Sequence, residues 1–281
     1  MSGKSKYRTA KDGLPARVSG PWAQEKLEVL RRYAETVTTA MKNSRWQGCC
    51  YIDLLTGCGR CVLENSDQEF DGSPLIAVKC EPAFKALVFV EADGELVTAL
   101  RARTASAPVQ PQIILGNCND SATISKIRQA VPANMLGICF VDNLGWEVSL
   151  SAISRIVASR HIDLVVTFQE SAFTRNVPRA FKEPKMSAQF DAALGPGWRQ
   201  AVADFEARKT SAPDVATALA DFYTDRLKLL GYKYATRLND SMKNSMNATL
   251  YRVVSFSKHP LGGKLFGAVS KSVAAPKLDF G

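Results

Sequence analysis

Five short apolar runs, each ending at a polar residue or a glycine, constrain the fold of this chain more than any other sequence feature. They lie at residues 51–55, 86–90, 113–115, 138–141 and 164–168. Continuously apolar runs of this length are typical of strands that are buried on both faces of a parallel sheet. Stretches with helical features separate them, at residues 74–80, 95–104, 121–130 and 147–159. The alternation predicts an α/β fold with helices on both faces of the sheet.

Further elements complete the expected architecture on either side of these runs. Apolar residues recur at helical spacing over residues 22–42, and a second long helix is expected over 214–230. Two more strands are expected at 233–238 and 248–256, the last of them antiparallel to the others. The predicted fold is therefore Rossmann-like and doubly wound, a mostly parallel seven-stranded sheet with an antiparallel C-terminal strand.

Composition bounds the domain organisation and the partners. With 281 residues, of which 46% are hydrophobic, the chain can bury a large core, which excludes bulk disorder. The net charge of +9 is concentrated at the ends, since residues 1–20 carry +4 and residues 258–281 carry +3. We therefore expect a flexible basic lead-in (1–20), a single domain (21–260) with an insertion at about 171–211, and a basic tail (261–281). Basic tails favour acidic partners such as nucleic acid.

The cysteines and the hydropathy indicate where such a chain would reside. Seven cysteines, an odd number, lie in a chain long enough to fold without disulfides, which favours a reducing compartment. No apolar stretch approaches the roughly 18 residues that a membrane-spanning helix needs. The expected location is cytoplasmic.

The first two predicted strands end in residues that suit a nucleotide-type ligand. Asp53 leads into a turn with glycines at Gly57 and Gly59, where missing side chains let a cofactor approach the backbone. Glu91 ends the next strand, and a carboxylate there can accept the hydroxyls of a ribose. The separation along the chain between the glycine turn and Glu91 exceeds the roughly 20 residues of the dinucleotide fingerprint, which weakens an NAD interpretation. An ordinary strand-to-loop turn remains the alternative.

The third and fourth strand ends carry further candidates. Asn117 and Cys118 are suited to hold an adenine edge, although Asn117 could equally cap a turn. Asp142 follows the fourth strand and stands near Trp146. An acid at this position could act beside the transferable group of a cofactor, or it could simply cap a helix.

The sequence as a whole resembles the three-Cys-motif partner (TcmP) family, proteins with a class I S-adenosylmethionine-dependent methyltransferase-like fold. No single motif carries the resemblance, but an ordered set along most of the chain does. It comprises Trp22, Lys26, Leu27, Tyr33, residues 51–54, Gly57, Gly59, residues 72–75, residues 89–91, residues 116–118, Asp142, Gly145, Trp146, Asp163, Leu164, Phe168, Arg175, Gly197, Trp198, Gly231, Tyr232 and residues 257–259.

The resemblance implies a cofactor, S-adenosyl-L-methionine (SAM), and a role for each strand end. The turn from Gly57 to Gly59 would approach the methionine part, Glu91 would bind the ribose, and Asn117 with Cys118 would flank the adenine. Asp142 would lie near the sulfonium and position the acceptor or take its proton. The resemblance also implies a partner protein with a three-cysteine motif, similar to radical-SAM proteins.

Two residues depart from the family pattern. Asn117 stands where the family usually has Asp, so the oxygen is kept and the charge is lost. Asn143 stands where a Pro usually follows Asp142, and the Asn/Asp-Pro-Pro-Tyr/Phe signature of amino-directed nucleic-acid methyltransferases is missing. Methylation of a base amino group is therefore not assured.

The remaining candidates are three substrate contacts and one metal site. Trp146, Arg175 and His259 are candidate substrate contacts, against core packing for the tryptophan and a surface position for the histidine. A zinc site formed by Cys49, Cys50, Cys58 and Cys61 is disfavoured, because neighbouring residues of a strand point to opposite faces, so no metal site is expected.

Three functional hypotheses remain open at the sequence level. The leading one is a SAM-dependent methyltransferase acting on an unidentified acceptor, which could be nucleic acid. The second is a non-catalytic methyltransferase-like module that binds the three-cysteine partner. The third is a nucleic-acid-binding protein without a cofactor, whose affinity would fall steeply with salt.

Overall fold

The computed structural model describes residues 6–42, 44, 46–238, 242–243 and 249–274. Its strands are β1 (Tyr7–Thr9), β2 (Pro15–Ser19), β3 (Cys49–Asp53), β4 (Arg60–Leu63), β5 (Glu69–Asp71), β6 (Ala86–Glu91), β7 (Gln112–Leu115), β8 (Leu136–Val141), β9 (His161–Phe168), β10 (Tyr234–Arg237), β11 (Met242–Lys243) and β12 (Thr249–Ser257). Its helices are α1 (Pro21–Met41), α2 (Ser73–Val78), α3 (Gly94–Thr104), α4 (Ser121–Ala130), α5 (Leu150–Val157), α6 (Glu170–Lys182), α7 (Pro184–Leu194), α8 (Trp198–Glu206), α9 (Val215–Leu229) and α10 (Pro260–Ala274).

Seven strands form the main sheet in the order β10-β12-β9-β8-β3-β6-β7. The five strands predicted from the apolar runs are mutually parallel, and β12 is antiparallel to both β9 and β10. The strand order reverses between β3 and its neighbours β6 and β8, which is the position where open α/β sheets bind ligands. The predicted Rossmann-like fold with an antiparallel C-terminal strand is confirmed.

Alternate residues of the central strands enter two different cores, one on each face of the sheet. Cys50 and Ile52 of β3 pack in one core, together with Trp198 of the segment expected to be an insertion. Cys49 and Tyr51 pack in the other, with residues of α1 and α10. This alternation follows from the two-residue period of a strand, and it explains why the runs are almost entirely apolar.

The expected flexible lead-in is wrong for the part that the structure describes. β1 and β2 pair antiparallel, and β2 pairs parallel with β4. The chain start therefore joins a four-stranded sheet in the order β1-β2-β4-β5, which we call the small sheet. Its buried side chains are few and small, among them Ala10, Ala16 and Val62. Such a core leaves little hydrophobic pattern in the sequence. Residues 1–5 lie outside the described residues.

The expected basic tail also needs correction. Residues 260–274 form α10, whose Phe266 and Val269 are buried in the core beside α1. Helical spacing of these apolar residues outweighs the basic composition, because burying a Phe side chain stabilises by roughly 2–3 kcal/mol. Residues 275–281 lie outside the described residues.

The segment at 171–211 is helical, containing most of α6 and all of α7 and α8. Phe190 and Trp198 of this segment are fully buried in the main core. Among the described helices, none is both long enough and apolar enough to span a membrane.

Candidate functional site

Polar side chains from four neighbouring parallel strands meet at one edge of the main sheet. β8, β3, β6 and β7 are adjacent and parallel, so their carboxyl ends lie at the same edge. Gly57, Glu91, Asn117 and Asp142 follow these ends. The structure therefore brings these predicted residues to one edge, and we call the position outside it, where open α/β sheets bind ligands, the strand-end cleft.

The glycine turn and Glu91 form one hydrogen-bonded unit. Gly57 and Gly59 have φ angles of +65° and +85°, a region that favours glycine. A Cβ at Gly57 would meet nothing within 4 Å, so a ligand can approach this backbone, whereas a Cβ at Gly59 would lie 3.0 Å from Leu100. The Gly57 amide donates to Glu91 Oε2 at 2.7 Å.

The second carboxylate oxygen of Glu91 is also held by backbone amides. Glu91 Oε1 accepts from the amides of Ala92 and Asp93, at 2.8 and 3.0 Å. An ionised carboxylate has about four acceptor positions, so one remains on Oε2. In this arrangement Glu91 accepts one further donor, such as a ribose hydroxyl, rather than the two that the sequence suggested.

Asp53 does not reach the strand-end cleft, which corrects its predicted role as a cofactor contact. Its side chain is fully buried and accepts from the Leu55 amide at 3.3 Å and the Tyr51 hydroxyl at 3.4 Å. Burial raises its pKa to about 7, and a hydrogen bond from Ser73 opposes the shift. Asp53 therefore stabilises the start of the turn through its hydrogen bond with the Leu55 amide.

Asn117 caps a turn, which is the structural alternative to an adenine contact. Its side-chain oxygen accepts from the amide of Asn119 at 2.9 Å and from the Asn119 side chain at 3.0 Å. Cys118 is 3% exposed and packs in the main core, and burial raises its thiol pKa to about 11. An adenine edge held by a side-chain oxygen and a backbone amide of Asn117 and Cys118 stays a prediction.

Asn119 is a residue of this edge that the sequence did not single out. Its side-chain oxygen accepts from the Ser149 amide at 2.9 Å, and its nitrogen donates to the Glu147 carbonyl at 2.7 Å. It thereby fastens the loop after β7 to the loop after β8.

Asp142 is paired with a lysine from α1. Lys26 Nζ lies 2.6 Å from both carboxylate oxygens of Asp142, and the Thr167 hydroxyl donates to Oδ1 at 2.8 Å. Only 10% of the Lys26 side chain and 25% of the Asp142 side chain are exposed. The Lys26 ammonium also lies 5.1 Å from the ring centre of Tyr251. Lys26 is the main functional candidate that the sequence reasoning did not assign.

The loop after Asp142 is held by its own side chains. The Asn143 side-chain oxygen accepts from the Val148 amide at 3.1 Å, and the Asn143 carbonyl accepts from Gln169. The Glu147 carboxylate accepts from the amides of Leu144 and Gly145, at 3.0 and 2.9 Å. The departure at Asn143 therefore supplies a loop contact that a proline side chain could not make.

The two candidate substrate contacts near this loop differ in their surroundings. Trp146 is half-buried, with its ring centre 5.3 Å from Phe190 and 5.8 Å from Phe173, which agrees with the packing alternative. Arg175 is exposed on α6, the helix that starts at the end of β9. Substrate contact by either residue stays a prediction.

His259 lies at the opposite edge of the sheet, which corrects its prediction as part of the same site. It follows β12, whose Phe256 pairs with Leu164 while Arg252 pairs with Phe168. An antiparallel strand ends where the parallel strands begin. His259 instead lines a cavity of about 210 Å³ with His161 and Asp163.

The cysteines are buried side chains of the two cores and of the small sheet. All seven are free and buried, and Cys49 and Cys50 face different cores. Within the described part of the chain, no group of three or more His, Cys, Asp or Glu side chains could hold a metal ion.

The small sheet explains the long separation between the glycine turn and Glu91. β4, β5 and α2 all lie between them, so the chain leaves the main sheet before returning to it. Arg103 of α3 fastens the chain start to the turn by donating to the carbonyls of Cys58 and Pro15, at 2.7 and 2.8 Å, and by pairing with Asp12.

The comparisons with known proteins give structural likenesses only. No family model matches the sequence, and no curated protein matches it either. A solved structure of a Legionella pneumophila protein from the DUF519 family is similar over 88% of this chain and 91% of its own, with 11% identity and a TM-score of 0.49.

Two further solved structures are similar over most of their length. A Bacillus cereus O-methyltransferase in complex with SAH covers 88% of this chain and 86% of its own, with 11% identity and a TM-score of 0.44. The M. jannaschii protein TYW2 in complex with AdoMet covers 92% and 87%, with 10% identity and a TM-score of 0.41. At these values the function has to be argued from the site itself.

The Lys26–Asp142 pair makes a testable contribution to stability. Lys26→Met or Asp142→Leu alone is expected to lower the free energy of unfolding by about 2 kcal/mol, because each leaves an unpaired charge in a mostly buried position. The double variant should be destabilised by less than the sum of the two single changes. Urea unfolding of the four proteins measures this, and additive losses would contradict the coupling.

Proposed function

We propose that this chain is a SAM-dependent methyltransferase whose cofactor lies in the strand-end cleft. The observation that carries the proposal is the unit formed by Glu91 and the Gly57 amide, at the same sheet edge as Asp142. An acid after the second parallel strand and an open glycine turn after the first are the features that a nucleoside cofactor requires. A dinucleotide is disfavoured, because β4 and β5 follow the turn where a dinucleotide site would start a helix at once.

The residues of the cleft fit the chemical groups of this cofactor. The free acceptor position of Glu91 suits a ribose hydroxyl. No side chain covers the backbone at Gly57, which leaves room for the aliphatic methionine chain of SAM. When bound, SAM supplies a methyl group that is already activated by a sulfonium. The chain therefore has to orient the acceptor and receive its proton.

Asp142 is proposed to orient the acceptor and to take its proton. It directly follows β8, and 25% of its side chain is exposed, so an acceptor can reach its carboxylate. Lys26 and Thr167 hold that carboxylate in one orientation. Asn143 and Glu147 fix the following loop, which forms the wall beside it.

The finer assignment to the TcmP family, with a three-cysteine partner, remains part of this proposal. The sequence resemblance supports it. A nucleic-acid acceptor is supported by exposed basic residues on α6 and α7, namely Arg175, Lys182 and Lys185, because phosphate contacts dominate nucleic-acid affinity. Label from methyl-labelled SAM should then appear in RNA, in DNA or in the co-expressed partner.

Titration calorimetry of the purified protein with S-adenosylhomocysteine tests the cofactor assignment. We expect saturable one-site binding, with NAD as a control nucleotide that does not bind. Absence of binding at about millimolar ligand would overturn the proposal, because typical cofactor sites reach at least that affinity. Binding without label transfer to nucleic acid or partner would favour the non-catalytic module.

A further inference from the structure

Arg17 lies on the face of the small sheet that covers the glycine turn. It is the central residue of β2 and pairs with Tyr7 of β1 and with Cys61 of β4. Directly paired residues have side chains on the same face. Ala16 is on the other face, where it packs with Ala10 and Val62. Tyr7, Arg17 and Cys61 therefore share one face.

That face looks towards the strand-end cleft. Tyr7 packs against the cluster of Cys58 and Leu96, next to the glycine turn. Burial raises the pKa of the Tyr7 hydroxyl, and Arg17, Cys58, Glu91 and Asp93 lie close enough to act on it electrostatically. Burial raises the pKa of Cys61, on the same face, to about 11, and a hydrogen bond with Ser19 and the nearby charges of Arg17 and Lys26 oppose this shift.

The basic side chains around this cleft differ in how they are paired. Lys26 is bound to Asp142, Arg103 to Asp12, and Arg60 to Asp71. Arg17 is half-buried and makes no side-chain hydrogen bond or ion pair with another residue of the described ranges. A partly buried guanidinium presents five donors in a planar fork, which suits a carboxylate or phosphate.

The small sheet is firmly attached, so Arg17 is held in place before any ligand arrives. Arg103 donates to the carbonyls of Pro15 and Cys58, which joins the start of β2 to the glycine turn. Arg8 of β1 donates to the carbonyls of Glu64 and Ser66, with 2.5 and 3.2 Å distances. Preorganised donors lose little entropy on binding an anion.

We infer that Arg17 binds the carboxylate at the amino-acid end of the cofactor. The inference rests on the proposed function and identifies a residue that the sequence reasoning did not consider. Glu91 would fix the ribose on one side of the glycine turn, and Arg17 would hold the anionic end on the other. The chain start would thus complete the cofactor site and favour ligands that retain the amino-acid carboxylate.

Two probes that differ by the amino-acid end test this role. S-adenosylhomocysteine carries the carboxylate, and 5′-methylthioadenosine keeps the adenosine but lacks it. In Arg17→Met, S-adenosylhomocysteine should bind about 10- to 100-fold more weakly, the range expected for a lost charged hydrogen-bonded pair. Affinity for 5′-methylthioadenosine should stay within about twofold of the wild type.

Matched variants separate this role from a structural one. Lys11→Met removes an exposed basic side chain from the turn between β1 and β2 and should leave both affinities unchanged. Arg17→Lys should restore part of the lost affinity, because it returns the charge without the planar fork. Arg17→Gln serves as a second variant should Arg17→Met prove poorly folded in a thermal melt.

The outcomes distinguish the two levels of the proposal. Wild-type protein that binds neither probe would overturn the proposed function, and the inference with it. Wild-type protein that binds both probes, together with an Arg17→Met variant that loses nothing or loses both affinities equally, would overturn the role of Arg17 alone.

Discussion

Glu91→Ala is expected to weaken binding of S-adenosylhomocysteine by at least about 100-fold. A lost hydrogen bond to a charged group accounts for about 1.5–3 kcal/mol, and Glu91 also loses its contacts to the backbone. The carboxylate holds the Gly57 amide at 2.7 Å, so its removal frees the glycine turn as well as the ribose position. Titration calorimetry measures the change directly.

Two companion variants show whether the effect comes from the carboxylate at this position. Glu95→Ala removes a nearby exposed acid at the start of α3 and should leave affinity unchanged. Glu91→Gln keeps an acceptor oxygen for Gly57 without the charge, so its loss should be intermediate. Equal affinities for Glu91→Ala and wild type would remove Glu91 from the cofactor site.

Asp53→Asn is expected to change how stability depends on pH. The pKa of Asp53 is about 7 in the folded protein, against 3.8 for the free side chain, because burial disfavours its charge. Between these values the folded state keeps a proton that the unfolded chain releases, so wild-type stability falls as pH rises. The total from pH 4 to pH 8 is about 4 kcal/mol, and the contribution levels off once the pH is well above the folded pKa.

The difference between Asp53→Asn and wild type isolates this contribution. The free energy of unfolding of the variant, relative to wild type, should increase between pH 4 and pH 8 by that amount. Asp12 provides a control of opposite sign, since its hydrogen bond with Arg103 lowers its pKa. Asp12→Asn should lose relative stability as pH rises. A pH-independent difference for Asp53→Asn would contradict the buried titration.

The main sheet was predictable because its strands are buried on both faces. Such strands appear as continuous apolar runs, and the polar residues that end them fall at one edge whenever the strands are parallel. The sequence therefore places Glu91 and Asp142 at one edge of the sheet, as the structure does. His259 was predicted at the wrong edge, although the same rule puts it at the opposite one, because the strand before it was expected to be antiparallel.

The small sheet was not predictable from hydrophobic pattern. Its buried core includes Ala10, Ala16 and Val62, so the basic and polar residues around them dominate the composition of the chain start. Arg8 and Arg17 looked like charges of a flexible end, yet Arg8 is bound to carbonyls and Arg17 shares a sheet face with Tyr7, which packs beside the glycine turn. The net charge of a segment does not tell where its side chains point.

Lys26 shows a different limit. It stands 116 residues before Asp142 in the chain, and no local period connects a helix near the start with a loop after the fourth parallel strand. A lysine beside Leu27 on the buried side of α1 was the available signal, since a lysine is almost never fully buried unless it is paired. The sequence therefore indicates that Lys26 is paired, but it does not indicate with which residue.

The sequence by itself determined the sheet, its strand directions and the set of polar residues at the strand ends. These follow from short-range periodicity and from the geometry common to parallel strands. The tertiary structure decided that Asp53 is fully buried, that Lys26 pairs with Asp142 and that Arg17 shares a sheet face with Tyr7. These depend on which distant surfaces pack together, and packing of that kind is set by the shapes and burial of the whole domain.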